Sequence, residues 1–139
     1  MLEEELVRRT KLQKLRDKAQ NPYPSDPKRN HTVKQVLTDF EHLMAAKTTL
    51  QIVGRVKTKR KHGAITFLNL EDESGSMQVA LRRDGVGDEA YQNFEELIDP
   101  GDFLEIKGVA FLTKRGEPTL DAEFFRVLTK ALLPLPEKW

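Results

Sequence analysis

The sequence contains no cysteine. That excludes a disulfide framework and any thiolate metal site, and it fits a reducing, cytoplasmic setting. Long apolar runs are also missing: none approaches the ~20 residues that cross a bilayer as a helix, so no membrane partner is expected. The chain opens on Glu3, Glu4 and Glu5, where a secretory signal would place cations before an apolar stretch. Histidine is sparse, and His31, His42 and His62 are too scattered for a His-x-x-x-His pair. No nucleophile elbow or phosphate-cradling glycine loop occurs; Gly85-Val86-Gly87 is too short and reads as a loop before a helix. No catalytic or metal-ligating residue is therefore expected in this chain, and the residues that remain speak of binding.

Net charge is nearly absent as well, at +1, but its distribution is uneven. Residues 1–62 carry 15 Lys/Arg against 7 Asp/Glu, and residues 63–139 carry 8 against 15. A molecule polarised in this way can lay a basic face on a polyanion while its acidic part is repelled. The basic half culminates in R-V-K-T-K-R-K-H-G-A-I-T-F, Arg55 to Phe67. Its β-branched residues favour strand over helix, and His62-Gly63 supplies a turn between two antiparallel strands. Along the second strand Thr66, Leu68 and Leu70 share a core face, which turns Phe67 outward beside the cationic strand. Proteins hold single-stranded nucleic acid in this manner, with cations tracking phosphates and a ring stacking on a base. Arg55, Lys57, Lys59, Lys61 and His62, with Lys114 and Arg115 further on, are the candidates for backbone phosphate contact.

The remaining chain reads as ordered elements with clear punctuation. A cationic helix is expected over residues 3–20, followed by a connector with three prolines, N-P-Y-P-S-D-P-K-R-N, at Asn21 to Asn30. A second helix starts at Thr32, with Gln35 completing a capping box and Val33, Val36, Leu37, Phe40, Leu43 and Met44 forming its buried stripe. Strands follow over residues 48–61, 64–71 and 76–82, the third with Met77, Val79 and Leu81 inward and Gln78 outward. A helix over residues 87–99, capped by Asp88, presents Tyr91, Phe94, Leu97 and Ile98. Strand four runs over 102–113, with Leu104, Ile106, Ala110 and Leu112 in phase and Gly108 marking a bulge or close backbone approach. After the turn Lys114-Arg115-Gly116, strand five covers 117–128. This order predicts an α+β, mainly β domain of OB-fold type, a five-stranded Greek-key barrel with a helix between strands 3 and 4, preceded by N-terminal helices. In that fold the face on strands 2 and 3 binds oligonucleotides.

Several segments resemble one family, the N-terminal anticodon-binding domain of class II lysyl-tRNA synthetase. They are N-P-Y-P at Asn21–Pro24, V-G-R-V at Val53–Val56, K-R-K-H-G-A-I-T-F at Lys59–Phe67 and L-E-D-E-S-G-S-M-Q at Leu70–Gln78. D-P-G-D-F at Asp99–Phe103, T-K-R-G-E at Thr113–Glu117 and L-T-K-A-L-L-P-L-P-E-K-W at Leu128–Trp139 complete the set. Ile65-Thr66, in place of small residues, and Pro118 after Glu117 depart from the family pattern. The resemblance implies that Phe67 stacks on the central anticodon base and that Arg60, Gln78 and Glu117 read anticodon uridines. It implies three segments: residues 1–31, a helix and connector; 32–128, the anticodon-binding barrel; and 129–139, the start of a linker to a catalytic domain absent from this chain. It also implies tRNA for lysine as partner, a homodimeric full-length enzyme, and ATP and Mg²⁺ in the absent domain, with no cofactor in this one. A non-specific single-strand-binding OB domain, an aspartyl- or asparaginyl-type anticodon domain, and a scaffold whose Phe67 face docks protein are the alternative readings.

Overall fold

The structure is a computed structural model that describes residues 29–129. The helix expected over residues 3–20, most of the proline-rich connector and the tail from residue 130 lie outside the described residues.

Two short helices come first, α1 (Val33–Thr38) and α2 (Phe40–Ala45). Thr32 caps α1 with a complete capping box: Gln35 N–H donates to its hydroxyl at 3.1 Å, and Thr32 N–H donates to Gln35 Oε1 at 2.8 Å. The single helix read from the sequence is broken at Asp39, where φ is −110° and ψ is 28°. The Asp39 side chain makes no capping bond there, while its N–H still donates to the Gln35 carbonyl at 3.1 Å and its carbonyl accepts from Leu43 N–H at 3.0 Å. The break is thus a local backbone turn that the apolar spacing does not register. Val33, Val36, Phe40 and Leu43 remain in the core, whereas Leu37, expected inside, faces out.

Five strands follow: β1 (Leu50–His62), β2 (Ile65–Asp72), β3 (Gly75–Arg82), β4 (Phe103–Leu112) and β5 (Pro118–Thr129). They close into a barrel in the order β1-β2-β3-β5-β4, with β4 pairing back onto β1. The β3–β5 pair is parallel and the others are antiparallel. Between β3 and β4 lie α3 (Arg83–Val86), which the sequence reading did not anticipate, and α4 (Asp88–Leu97). This is the predicted five-stranded architecture with its intervening helix. Gly87, with φ of 96°, occupies the N-cap of α4, so Asp88 is its first residue rather than its cap.

Alternation fills the barrel. Leu50, Ile52, Val56, Leu68, Leu70, Val79, Leu81, Leu104, Ile106, Leu120 and Val127 are all buried. Each contributes about 1.5–3 kcal/mol against leaving it in water. Leu112, expected in phase with them, stands at the barrel rim and is exposed. Tyr91, Phe94, Leu97 and Ile98 of α4 and its exit are buried as expected, with the Phe94 ring edge-on to Phe125 at 5.2 Å.

Long β1 serves two neighbours, pairing with β4 through Leu50–Arg55 and with β2 through Arg55–His62. Gly54 sits at the handover, where an added Cβ would lie 2.6 Å from the Glu71 carbonyl oxygen. The register then shifts between Val56 and Thr58. Gly101 N–H donates to the Val56 carbonyl at 2.7 Å, and Val56 N–H donates to the Asp102 carbonyl at 2.8 Å. The D-P-G-D turn thus pins the strand at its irregular point. The extra residue, Lys57, inverts the alternation beyond it.

The β2–β3 turn is tied to α1. Asp72 accepts from Val33 N–H at 2.9 Å, Ser74 N–H at 2.7 Å and Ser74 Oγ at 2.6 Å. Burial pushes this carboxyl up. The bonds from the Ser74 hydroxyl and from the Val33, Ser74 and Gly75 N–H groups outweigh that and hold it below the usual aspartate value.

Candidate nucleic-acid interface

The inversion at Lys57 decides what surrounds Phe67. Beyond it Thr58 pairs with Asn69, Arg60 with Phe67 and His62 with Ile65, so these β1 residues share the outer face of β2. On the other flank Phe67 pairs with Ala80, and Asn69 with Gln78. Gln78 in turn pairs with Thr119 on β5, two residues beyond Glu117. A chain of neighbours therefore runs across the sheet from Arg60 through Phe67 and Gln78 toward Glu117.

These four side chains line one open cleft of about 380 Å³, with His62, Thr113, Lys114 and Arg115. A narrower recess adjoins it, lined by Thr58, Arg60, Phe67, Leu68, Asn69, Gln78 and Glu117. Phe67 is half-buried, and the His62 ring meets its ring edge-on at 5.9 Å, extending the aromatic wall. Gln78 lies on the outer face as expected but is nearly covered, 8% exposed, with Nε2 donating to Thr119 Oγ1 at 3.1 Å.

The β4–β5 turn is closed by reciprocal bonds. Thr113 N–H donates to the Glu117 carbonyl at 3.1 Å, and Glu117 N–H donates to Thr113 Oγ1 at 3.1 Å. Pro118 opens β5, a position where a proline without N–H is tolerated, and Glu117 still lines the cleft. The other departure, Thr66, has a role beneath the ring. Its buried hydroxyl bonds Tyr91 Oη at 3.0 Å and donates to the Glu95 carboxylate, tying β2 to α4 directly behind Phe67.

Chemically, the cleft offers a flat apolar surface, donors from Arg60 and Gln78, an acceptor from Glu117 and flanking cations. It can take one unstacked base and the phosphates beside it.

Not every cation predicted for phosphate contact is here. Lys59 donates to the carbonyls of Phe94, Glu95 and Ile98 at 3.3, 2.9 and 2.9 Å, so each ammonium proton has an acceptor at the end of α4. Its positive charge meets the negative end of that helix. Lys57 is paired with Glu71 at 3.2 Å, and Arg55 lies over the Phe103 ring at 4.7 Å, toward the far end of β2. Lys61, opposite buried Thr66, is exposed and does not line the cleft. His62, Lys114 and Arg115 do. The sequence reading missed Thr58, Asn69 and Thr113, whose signal was their phase beside Phe67 and in the turn. Lys59→Met is expected to cost about 1–2 kcal/mol of stability in urea unfolding. It should leave RNA affinity unchanged, whereas Lys114→Ala should flatten the salt dependence of binding by about 0.7 in log–log slope.

The fold and the cleft define an oligonucleotide-binding barrel. Residues 50–128 match the model of the tRNA anti-codon family, described as an OB-fold nucleic acid binding domain. This chain belongs to that family. Among curated proteins it is 41% identical over 133 residues to the lysine–tRNA ligase of Carboxydothermus hydrogenoformans, covering 96% of this chain and 27% of that protein. It is 41% identical to the lysine–tRNA ligase of Pelotomaculum thermopropionicum, covering 96% and 26%. It is 37% identical over 139 residues to that of Enterococcus faecalis, covering 96% and 28%. The chain thus spans about a quarter of the length of these relatives.

Proposed function

We propose that this chain is the anticodon-reading module of a class II lysine–tRNA ligase, and that its cleft takes uridine from a lysine anticodon. The observation that carries this reading is the convergence of Phe67, Arg60, Gln78 and Glu117 on one base-sized cleft. The likeness to proteins named lysine–tRNA ligase directs it to lysine. Uracil presents acceptor, donor, acceptor along its pairing edge. Arg60 and the Gln78 amide can donate to its carbonyls, and the Glu117 carboxylate can accept from its N3–H. Cytosine has a lone pair at that nitrogen, which a carboxylate repels.

The module works in the cytoplasm, holding tRNA so that another part of a homodimeric enzyme attaches lysine. Among the described residues no group of three or more His, Asp or Glu converges to hold a metal ion. ATP and Mg²⁺ would serve lysine activation in that other part, and no step here depends on them. The test is fluorescence anisotropy with an anticodon stem-loop carrying U or C at the central position. The U loop is expected to bind at least about tenfold more tightly, the scale of one charged hydrogen bond. Equal affinities would reduce the chain to a non-specific single-strand binder.

A further inference from the structure

Thr119 is fully buried, 0% exposed, and stands beside Gln78 in the parallel β3–β5 pair. Two hydrogen bonds meet at its hydroxyl. Thr119 Oγ1 donates to the Glu117 carbonyl at 3.1 Å, and Gln78 Nε2 donates to Thr119 Oγ1 at 3.1 Å. The directions follow from the chemistry. A carbonyl oxygen only accepts, so the single hydroxyl proton is committed to Glu117, and the Thr119 oxygen then faces Gln78 with lone pairs. A Gln78 amide rotated by half a turn would set its carbonyl against those lone pairs, with no proton between the two oxygens. Keeping a bond in that orientation would require Thr119 to abandon Glu117. The intact relay therefore holds the amide with its NH₂ toward Thr119. Oε1 and the second N–H are left to the cleft that Gln78 lines.

We infer that Thr119 is a positioning residue that sets the hydrogen-bonding polarity of Gln78 and, through it, the base preference of the cleft. The inference rests on the base-reading role proposed above. Uracil and cytosine differ by inversion: an acceptor at position 4 becomes a donor, and a donor at position 3 becomes an acceptor. An amide free to turn over satisfies either pattern and cannot tell them apart. An amide held in one orientation can. The Glu117 carbonyl also accepts from Thr113 N–H at 3.1 Å, so the turn that presents Glu117 is held without the Thr119 hydroxyl, and Thr119 acts on the base through Gln78 alone.

The test compares the U and C stem-loops on the 139-residue chain carrying Thr119→Val, Thr119→Ser, Gln78→Ala, or Gln78→Ala with Thr119→Val. Urea midpoints establish that each variant is folded, and Thr119→Ala substitutes if valine proves too strained. Thr119→Val, which keeps the shape and removes the relay, should lower the U/C affinity ratio by about 3–10-fold, the scale of one neutral hydrogen bond. Thr119→Ser should restore the ratio. In the Gln78→Ala background Thr119→Val should change it no further, which a merely structural role would not produce. If Gln78→Ala lowers the ratio and Thr119→Val does not, the relay is overturned and the base-reading cleft stands. If Gln78→Ala itself leaves the ratio unchanged, the base-reading role of Gln78 falls, and the inference with it.

Discussion

Phe67→Ala is expected to weaken binding of every anticodon stem-loop by about 1–3 kcal/mol, roughly one to two orders of magnitude in Kd. Stacking is tolerant of base identity because every base has a π face, so U and C loops should lose affinity together and their ratio should persist. Gln78→Ala and Glu117→Ala should do the reverse, eroding the ratio more than the affinity. Phe67 is half-buried, lies outside the core cluster and packs edge-on to His62, so the loss of stability should stay smaller than for a core phenylalanine. Isothermal titration with both loops, beside a urea melt, checks all three statements. An affinity that stays at the wild-type level in Phe67→Ala would remove the stacking role.

Gly108→Ala is expected to produce the largest loss of stability, about 3 kcal/mol or more. An added Cβ would lie 2.1 Å from the Asp121 carbonyl oxygen and 3.1 Å from Ala122 Cα, and both are backbone. No side chain can swing aside, so the β4–β5 pair would have to part where its register already shifts between Lys107 and Gly108. Against a total stability of about 5–15 kcal/mol, such a loss is large enough to read as a collapse of the urea midpoint. A midpoint near that of the unaltered chain would show that the barrel relaxes at this corner and that the close approach is not essential to its closure.

How much of this was legible beforehand differs from residue to residue. The outward turn of Phe67 follows from Thr66, Leu68 and Leu70 alone, because three alternating core residues fix the phase of a strand. The capping box at Thr32 and Gln35 is equally local. The run from Lys57 to Lys61 is different. It has no apolar residue to mark a face, so nothing in it shows where an extra residue enters and inverts the alternation. That is why Lys59 could not be separated from Arg60: one reaches carbonyls of α4 more than thirty positions away and the other joins the cleft. The break at Asp39 was hidden by an apolar spacing that continues across it. The Gln78–Thr119 contact was beyond reach for another reason. It exists because β5 inserts parallel to β3, a pairing set by barrel closure rather than by either strand's own residues.

The stacking of a nucleobase on Phe67 is tested most directly by proton NMR of a stem-loop with uridine at its central anticodon position. On addition of the protein, the H5 and H6 resonances of that uridine should move upfield under the phenyl ring current while stem resonances hold still. With Phe67→Leu, which keeps an apolar side chain without a ring, the shift should vanish. Unmoved H5 and H6 signals at saturation with the unaltered protein, or the same shift with leucine in place, would contradict the account.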